Sequence, residues 1–263
     1  MASVPSPAIR LYRRASGRFA ALREALARSG FRGVSPPDPL GAWECVDGAG
    51  TRVRCAEGMV LVEASDERAA DGFDTRFRCA FPSDGDIPDG GAAPEVVALV
   101  AGSDESGKGE RTQELVVAAV AMPCALEGEA LARGVRDSKR CSGEEVADLA
   151  RWVRATCSHE VRVIAAGERD AALRAHGGNE TRLLATMHAE CLSALRGREP
   201  FALARVDRFA EGRPVAGALA GRWPEVVVDE CVRGEGHVAV AAASLVARSL
   251  ARPDPHPRTH RTP

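Results

Sequence analysis

Hydrophobic and polar positions divide the chain into two differently patterned stretches. In the first, apolar residues recur at helical spacing between Leu11 and Ser29, with Phe19, Leu22 and Leu26 on one face and Gly30 placed to cap the end. Short runs at Trp43 to Val46, Thr51 to Cys55 and Met59 to Val62, set around Asp47-Gly48 and Glu57-Gly58 turns, predict three strands. One helix and short strands make a small α+β module. Further on, the pattern changes to continuous apolar runs of strand length at Val96 to Ala101, Leu115 to Ala121, Val161 to Ala166, Phe201 to Val206 and Val226 to Val228. Strands buried on both faces have this signature. Helices are expected over Val146 to Ala155, behind the capping box Ser142-Gly-Glu-Glu145, and over Asn179 to Leu195, where Leu183, Leu184, Met187, Cys191 and Leu195 share a face. A third, Val238 to Leu250, is Ala-rich enough to pack closely on a sheet. Two adjacent strands followed by alternating helix and strand predict an α/β fold, a mixed sheet with helices on its faces.

Between the two stretches, residues 82–94 hold turn formers and acids with almost nothing to bury, as a linker does. The expected organisation is a module over 1–81, the linker over 82–94, a larger domain over 95–252, and a Pro/Arg/His tail over 253–263 that cannot form a helix and is expected to be disordered. A chain of 263 residues has room for both cores.

Composition narrows the function classes. No apolar run approaches the roughly 20 residues needed to cross a bilayer, and no leader is evident, so a cytoplasmic protein without a membrane partner is expected. Eight scattered cysteines form no CxxC pair and no zinc-ligand cluster, which suits reduced, buried thiols. A net charge of −2 excludes nucleic-acid binding by bulk charge and leaves local basic surfaces. One candidate is the segment holding Arg10, Arg13, Arg14, Arg18, Arg23, Arg28 and Arg32 against the single acid Glu24. Of the 35 basic residues only Lys108 and Lys139 are lysine, and both fall in the motifs below.

Gly102-Ser-Asp-Glu-Ser-Gly-Lys-Gly109 follows a predicted strand with the glycine spacing of a phosphate-binding loop. That reading fails, because Gly109 stands where a hydroxyl should meet magnesium and Asp104 and Glu105 would repel phosphate. Adjacent carboxylates raise each other's pKa unless a cation neutralises them, which points to a site for Mg²⁺ or Mn²⁺, although such a pair standing alone is more often an acidic solvated turn. Successive strand residues point to opposite faces, so the two acids share one site only if the strand ends or bulges there. Asp207 also follows a strand run, and Glu235 precedes the last helix; each alone is more often a cap or surface charge. His188 lies within an amphipathic helix, where packing or hydrogen bonding is its ordinary role, and His237 is left open beside Glu235.

Together these residues resemble the type 2 ribonucleases H, most closely ribonuclease HIII. Gly102 to Gly109 is similar to that family's first active-site motif, Asp137-Ser138-Lys139 to its second, and Asn179 to His188 to its central helix. Asp207-Arg-Phe-Ala210 looks like its third acidic strand end, and Gly236 to Arg248 like its last helix signature. The resemblance implies a ribonuclease H-like mixed sheet flanked by helices, with the small N-terminal α+β module as a substrate-binding domain. It further implies an endonuclease that hydrolyses the RNA strand of an RNA/DNA hybrid, as a monomer, leaving 5′-phosphate and 3′-hydroxyl ends. Asp104, Glu105, Asp207 and Glu235 would be the catalytic, metal-binding carboxylates for two Mg²⁺ or Mn²⁺ ions. Gly107, Lys108 and Gly109 would meet the ribose 2′-hydroxyl, and Lys108, Ser138 and Lys139 the phosphates.

The pattern departs from the family in three places. Glu110-Arg-Thr-Gln-Glu114 replaces an aromatic, Gly-Pro-containing stretch. The spacing from Glu235 to the Ala-rich signature is one residue short, which keeps Asp229 and Glu230 open as the fourth ligand. The family also continues well beyond Arg248, where this chain has its short tail. Two alternatives therefore stand beside the first reading: a hybrid-binding protein whose catalysis is impaired by C-terminal truncation, and a ribonuclease HII-like enzyme cutting at embedded ribonucleotides.

Overall fold

The computed structural model describes residues 7–13, 19–35, 43–56, 59–80, 95–110, 112–223 and 226–251. The predicted linker 82–94, the tail 253–263, the Glu57-Gly58 turn, Arg14 and Arg18 lie outside the described residues. The chain divides into two compact units, Met1–Ala98 and Leu99–Pro263.

The first unit runs β1 (Ala8–Arg13), α1 (Phe19–Arg28), β2 (Arg32–Ser35), β3 (Trp43–Val46), β4 (Arg52–Ala56), β5 (Met59–Ala64), α2 (Glu67–Ala80) and β6 (Glu95–Val96). Its sheet has the order β2-β3-β4-β5-β1-β6, and every pairing is antiparallel. Leu22, Leu26, Phe31, Trp43, Val53, Val60, Val62 and Phe73 form its core. The helix predicted from Leu11 starts only at Phe19, because Leu11 to Arg13 belong to β1. Arg10 is buried, with its guanidinium held by Glu67 and, at 3.5 Å, by Asp71 of α2. It is therefore withdrawn from the exposed basic surface.

The run predicted as one strand over 96–101 is split between the units. Val96 pairs with Arg10 in the first sheet, whereas Leu99 starts the second. The second unit continues β7 (Leu99–Ser106), β8 (Leu115–Pro123), α3 (Cys124–Arg133), α4 (Gly143–Thr156), β9 (Ser158–Ile164), α5 (Arg169–Ala175), α6 (Glu180–Arg196), β10 (Leu203–Asp207), α7 (Pro214–Leu219), β11 (Val227–Cys231) and α8 (Val238–Leu250). The sheet order is β11-β10-β7-β8-β9, with β7, β8 and β9 antiparallel and β10 parallel to both its neighbours. This is the mixed sheet with flanking helices that the apolar runs predict.

Each local signal has its structural counterpart. Ser142 and Glu145 close the capping box of α4, and the Asn179 side chain caps α6 by accepting from the Arg182 N–H. Leu184, Leu192 and Leu195 of α6 pack with Val117 and Ala119 of β8 on one face. On the other face α8 comes so close to β7 that a Cβ on Gly102 would lie 2.1 Å from the Ala239 carbonyl carbon. Only glycine permits that approach. Among the described residues no helix is long and apolar enough to cross a membrane.

Candidate active site

Asp104 and Glu105 are among the last residues of β7, where the pairing to β8 runs without a register shift as far as Ser106. No bulge turns the two carboxylates to one side, so of the two conditions for a shared site only the strand's end is met: β7 stops at Ser106, directly after Glu105, and there both acids come within electrostatic reach of each other and of Asp207. Asp104 is directed at α8, where it is hydrogen-bonded to Ser244, and its Oδ1 also accepts from the Glu105 N–H at 2.8 Å. Glu105 is directed at α6, where its Oε2 lies 3.3 Å from His188 Nε2.

The environments of the two acids push their pKa values apart. Burial first, then the neighbouring Glu105 charge, raises Asp104 to about 8 against the weaker pull of its two hydrogen bonds. For Glu105, burial alone would act upward, but the His188 hydrogen bond and the positive charges of His188, Lys108 and Lys139 bring it below its ordinary value. Asp207, at the end of β10, is raised by burial and by Glu235 and Glu105, although the Gly234 N–H donates to its Oδ1 at 2.8 Å. Gly234 fits only as glycine, because a Cβ there would stand 2.8 Å from the Asp207 Cα.

Glu235 is half-buried in the single 3-10 turn that leads into α8. The two other acids considered for this position face different partners. Glu230 is buried, with Oε1 accepting from the Ala216 N–H at 2.9 Å and Oε2 without a hydrogen-bond partner among the described residues. Asp229 is buried with its Oδ2 3.8 Å from Arg205 Nε. Asp104, Glu105, Asp207 and Glu235 are thus electrostatic neighbours around the ends of β7 and β10. As they stand, no group of three or more His, Cys, Asp or Glu side chains among the described residues is gathered closely enough to hold an ion. The donor set is nonetheless all carboxylate oxygen, and the fit is to a hard divalent cation such as Mg²⁺ or Mn²⁺.

The predicted substrate-binding residues are distributed unequally. Lys108 is partly exposed, donates to the Phe209 carbonyl at 3.0 Å, lies 5.1 Å from the Phe209 ring centroid and 3.8 Å from Glu105 Oε1. Gly107 and Gly109 both take positive φ, +89° and +76°, in the turn after β7. Lys139 is exposed and acts electrostatically on Glu105 and Asp207. Ser138 is instead buried, its hydroxyl 2.9 Å from Ser244 and its carbonyl engaged by Arg248. Its connection to the site therefore runs through the serine that bonds Asp104.

His188, fully buried on α6, proves to be a hydrogen-bonded residue that also touches the site. Its Nδ1 is 2.7 Å from Ser103 Oγ, which donates to the Ala118 carbonyl, and its ring stacks on Phe209 at 5.2 Å. His237 Nδ1 lies 2.6 Å from Arg205 Nη1; a guanidinium only donates, so this nitrogen accepts. Sequence reasoning missed Arg169, which is buried and donates into the loop after β7. An arginine between Glu168 and Asp170 reads as a surface charge, and no local signal marks it otherwise.

A mixed sheet with acids grouped at the ends of β7 and β10 and before α8 defines the class, a ribonuclease H-like α/β domain. The chain belongs to the ribonuclease HII family, whose model, described as Ribonuclease HII, matches residues 101–252. Among curated relatives, ribonuclease HIII of Exiguobacterium sibiricum is 34% identical over 174 residues, 64% of this chain and 55% of that protein. Ribonuclease HIII of Lysinibacillus sphaericus is 33% identical over 170 residues, 61% of this chain and 54% of that protein. The chain spans about half the length of the curated relatives it matches. A solved structure, Bst-RNase HIII in complex with Mn²⁺, shares the fold with a TM-score of 0.52 at 22% identity, over 92% of this chain and 80% of that one. The resemblance to ribonuclease HIII drawn from the motifs is thereby borne out.

Proposed function

We propose that this chain is a cytoplasmic endonuclease that hydrolyses the RNA strand of RNA/DNA hybrids with two divalent metal ions, leaving 5′-phosphate and 3′-hydroxyl ends. The observation that carries the reading is the buried Asp104 beside Glu105, within electrostatic reach of Asp207. Holding like charges together out of water is unfavourable unless a cation completes the group. Support comes from the curated relatives, which are named ribonuclease HIII, and from Bst-RNase HIII, whose structure contains Mn²⁺. Seven of the cysteines are free and buried, as a reducing compartment requires; Cys79 falls outside the described side chains.

Asp104, Glu105, Asp207 and Glu235 would hold the ions. When bound, such ions supply activation of the attacking water and charge neutralisation at the leaving 3′ oxygen. The chain's own residues prepare the ligands. Ser244 orients Asp104, His188 and Lys108 fix the two oxygens of Glu105, and the Gly234 N–H holds Asp207. Glu235 is preferred as the fourth ligand because Asp229 and Glu230 are engaged by Arg205 and by α7. Lys108 and Lys139 offer charge to the phosphates, and Ser138 acts from beneath by bonding Ser244. Gly107 and Gly109 bring backbone close to the ribose 2′-hydroxyl, the group that separates RNA from DNA. The first unit would add affinity for the hybrid.

The test is cleavage of an end-labelled hybrid by wild type, Asp104→Asn and Asp207→Asn, in Mg²⁺ and in Mn²⁺. Wild type is expected to cut, and each variant to lose about 100-fold or more in kcat, roughly 3 kcal/mol of transition-state stabilisation. Binding without cleavage, unchanged by Asp104→Asn, would replace this reading with that of a hybrid-binding protein. Preferential cutting of a DNA duplex with one embedded ribonucleotide would move it to the ribonuclease HII type.

A further inference from the structure

The loop joining β7 to β8 carries Gly107, Lys108 and Gly109, yet little apolar packing fixes it, since residues 108–110 are exposed. A buried cation lies behind it instead. Arg169, the first residue of α5, is only 8% exposed. Its Nη1 donates to the Gly107 carbonyl at 2.6 Å, to the Gln113 carbonyl at 3.4 Å and to the Glu110 carbonyl. Its Nη2 donates to Glu180 Oε1 at 3.2 Å. Three carbonyls from separate points of one loop therefore converge on one nitrogen, and the other nitrogen reaches the first residue of α6.

A guanidinium suits this task in a way an ammonium does not. Its planar fork places donors in two directions at once, so one group can serve the loop and Glu180 together. The loop end is also tightly closed. Glu110 N–H returns to the Gly107 carbonyl at 3.1 Å, and a Cβ on Gly107 would lie 2.1 Å from the Glu114 carbonyl oxygen. With its carbonyls drawn inward, the loop presents its opposite edge, Lys108 and Gly109, outward. The helix anchored at Glu180 is the one that carries His188 to Glu105.

We propose that Arg169 is a positioning residue that holds the Gly107-Lys108-Gly109 loop in one conformation for the hybrid backbone, and so sets substrate affinity rather than the chemical step. This rests on the reading of that loop as a substrate contact. Ordering the loop in advance removes the entropy that binding would otherwise have to supply.

Two measurements on Arg169→Gln test it, beside Arg169→Lys. Amide hydrogen exchange on the free protein, without metal or hybrid, is expected to show protection of residues 107–114 lost by about tenfold or more, with β8 and α6 changed less than about twofold. Steady-state cleavage is expected to show KM for the hybrid raised about tenfold with kcat within about threefold. Arg169→Lys, which keeps charge without the fork, should fall between wild type and Arg169→Gln in both, and it stands in if the Gln variant does not fold. Loop exchange that is unchanged, protection lost across the whole unit, or a fall in kcat at constant KM would each overturn the proposal. Exchange needs no catalysis, so an inactive wild type would refute the nuclease reading while the exchange data still judge the role of Arg169.

Discussion

Asp104 makes the site's electrostatics measurable without substrate. Its pKa is about 8 in the folded chain against an ordinary 3.8, so between these values the folded protein retains a proton that the unfolded chain has lost. Stability from this group is therefore fully present below 3.8 and is lost as pH rises through about 8. Asp207 and Glu230 are shifted in the same direction, and the lowering of Glu105 acts oppositely only below its ordinary 4.5. Metal-free protein is accordingly expected to melt at progressively lower temperature as pH is raised from about 6 to about 8.5, and Asp104→Asn to flatten that slope and raise Tm at the upper end. Thermal melts in chelator check this, and an unchanged slope in Asp104→Asn would remove Asp104 as its source. Residues of this kind were only half legible. Asp104, Glu105 and Asp207 drew attention by falling at strand ends and Glu235 by preceding a helix, whereas His188 and Arg169 matter through partners 83 and 62 positions away, which no local pattern encodes.

At the scale of elements, Gly102 of β7 lies in close contact with the first turn of α8. A methyl group there would stand 2.1 Å from backbone carbon and 2.2 Å from backbone oxygen of Ala239, so it can be accommodated only if the helix moves. Gly102→Ala is expected to destabilise the chain by about 3 kcal/mol or more in urea unfolding, at the upper end of overpacking effects. Ser142→Ala, which removes only the cap of α4, should cost about 1 kcal/mol. If the two variants unfold at the same urea concentration, the tight packing of α8 on β7 is wrong. The helices α4, α6 and α8 were legible because their signals are local: a capping box, an Asn cap with one apolar face, an Ala-rich run. β1 and α2 were not. Ala8, Ile9, Arg10 and Leu11 are all buried, so the alternation of a half-exposed strand is missing, and Arg10 is buried because α2 supplies Glu67 and Asp71. α2 itself carries many polar residues, and among its described side chains Ala70 and Phe73 are the buried ones that show its purpose. The two elements explain each other, and neither is readable alone.

For the whole molecule, the question that the proposed function raises is how a chain of net charge −2 would hold a polyanion. The second unit places acids at its centre, so repulsion of phosphate must be offset elsewhere by exposed cations. In the first unit Arg23, Arg28 and Arg32 are exposed, and among the described residues Arg28 alone of the three has an acid partner nearby, Glu24 at 3.9 Å with both side chains 73% exposed. Such a surface pair is too weakly held to withdraw Arg28 from a phosphate. Replacing all three arginines by alanine is therefore expected to weaken hybrid binding and to lower the slope of log K against log salt by roughly 2–3, since each phosphate contact contributes about 0.9. Single-turnover cleavage at saturating enzyme should stay within about twofold of wild type, because the carboxylates and the residues that hold them all belong to the second unit and none of them is changed. Titrations of a labelled hybrid between about 50 and 200 mM salt measure the slope, in chelator so that binding is read without cleavage. A salt slope equal to that of wild type would mean that these arginines do not touch the backbone. A fall in the single-turnover rate would mean that the first unit takes part in the chemistry as well as in holding the hybrid.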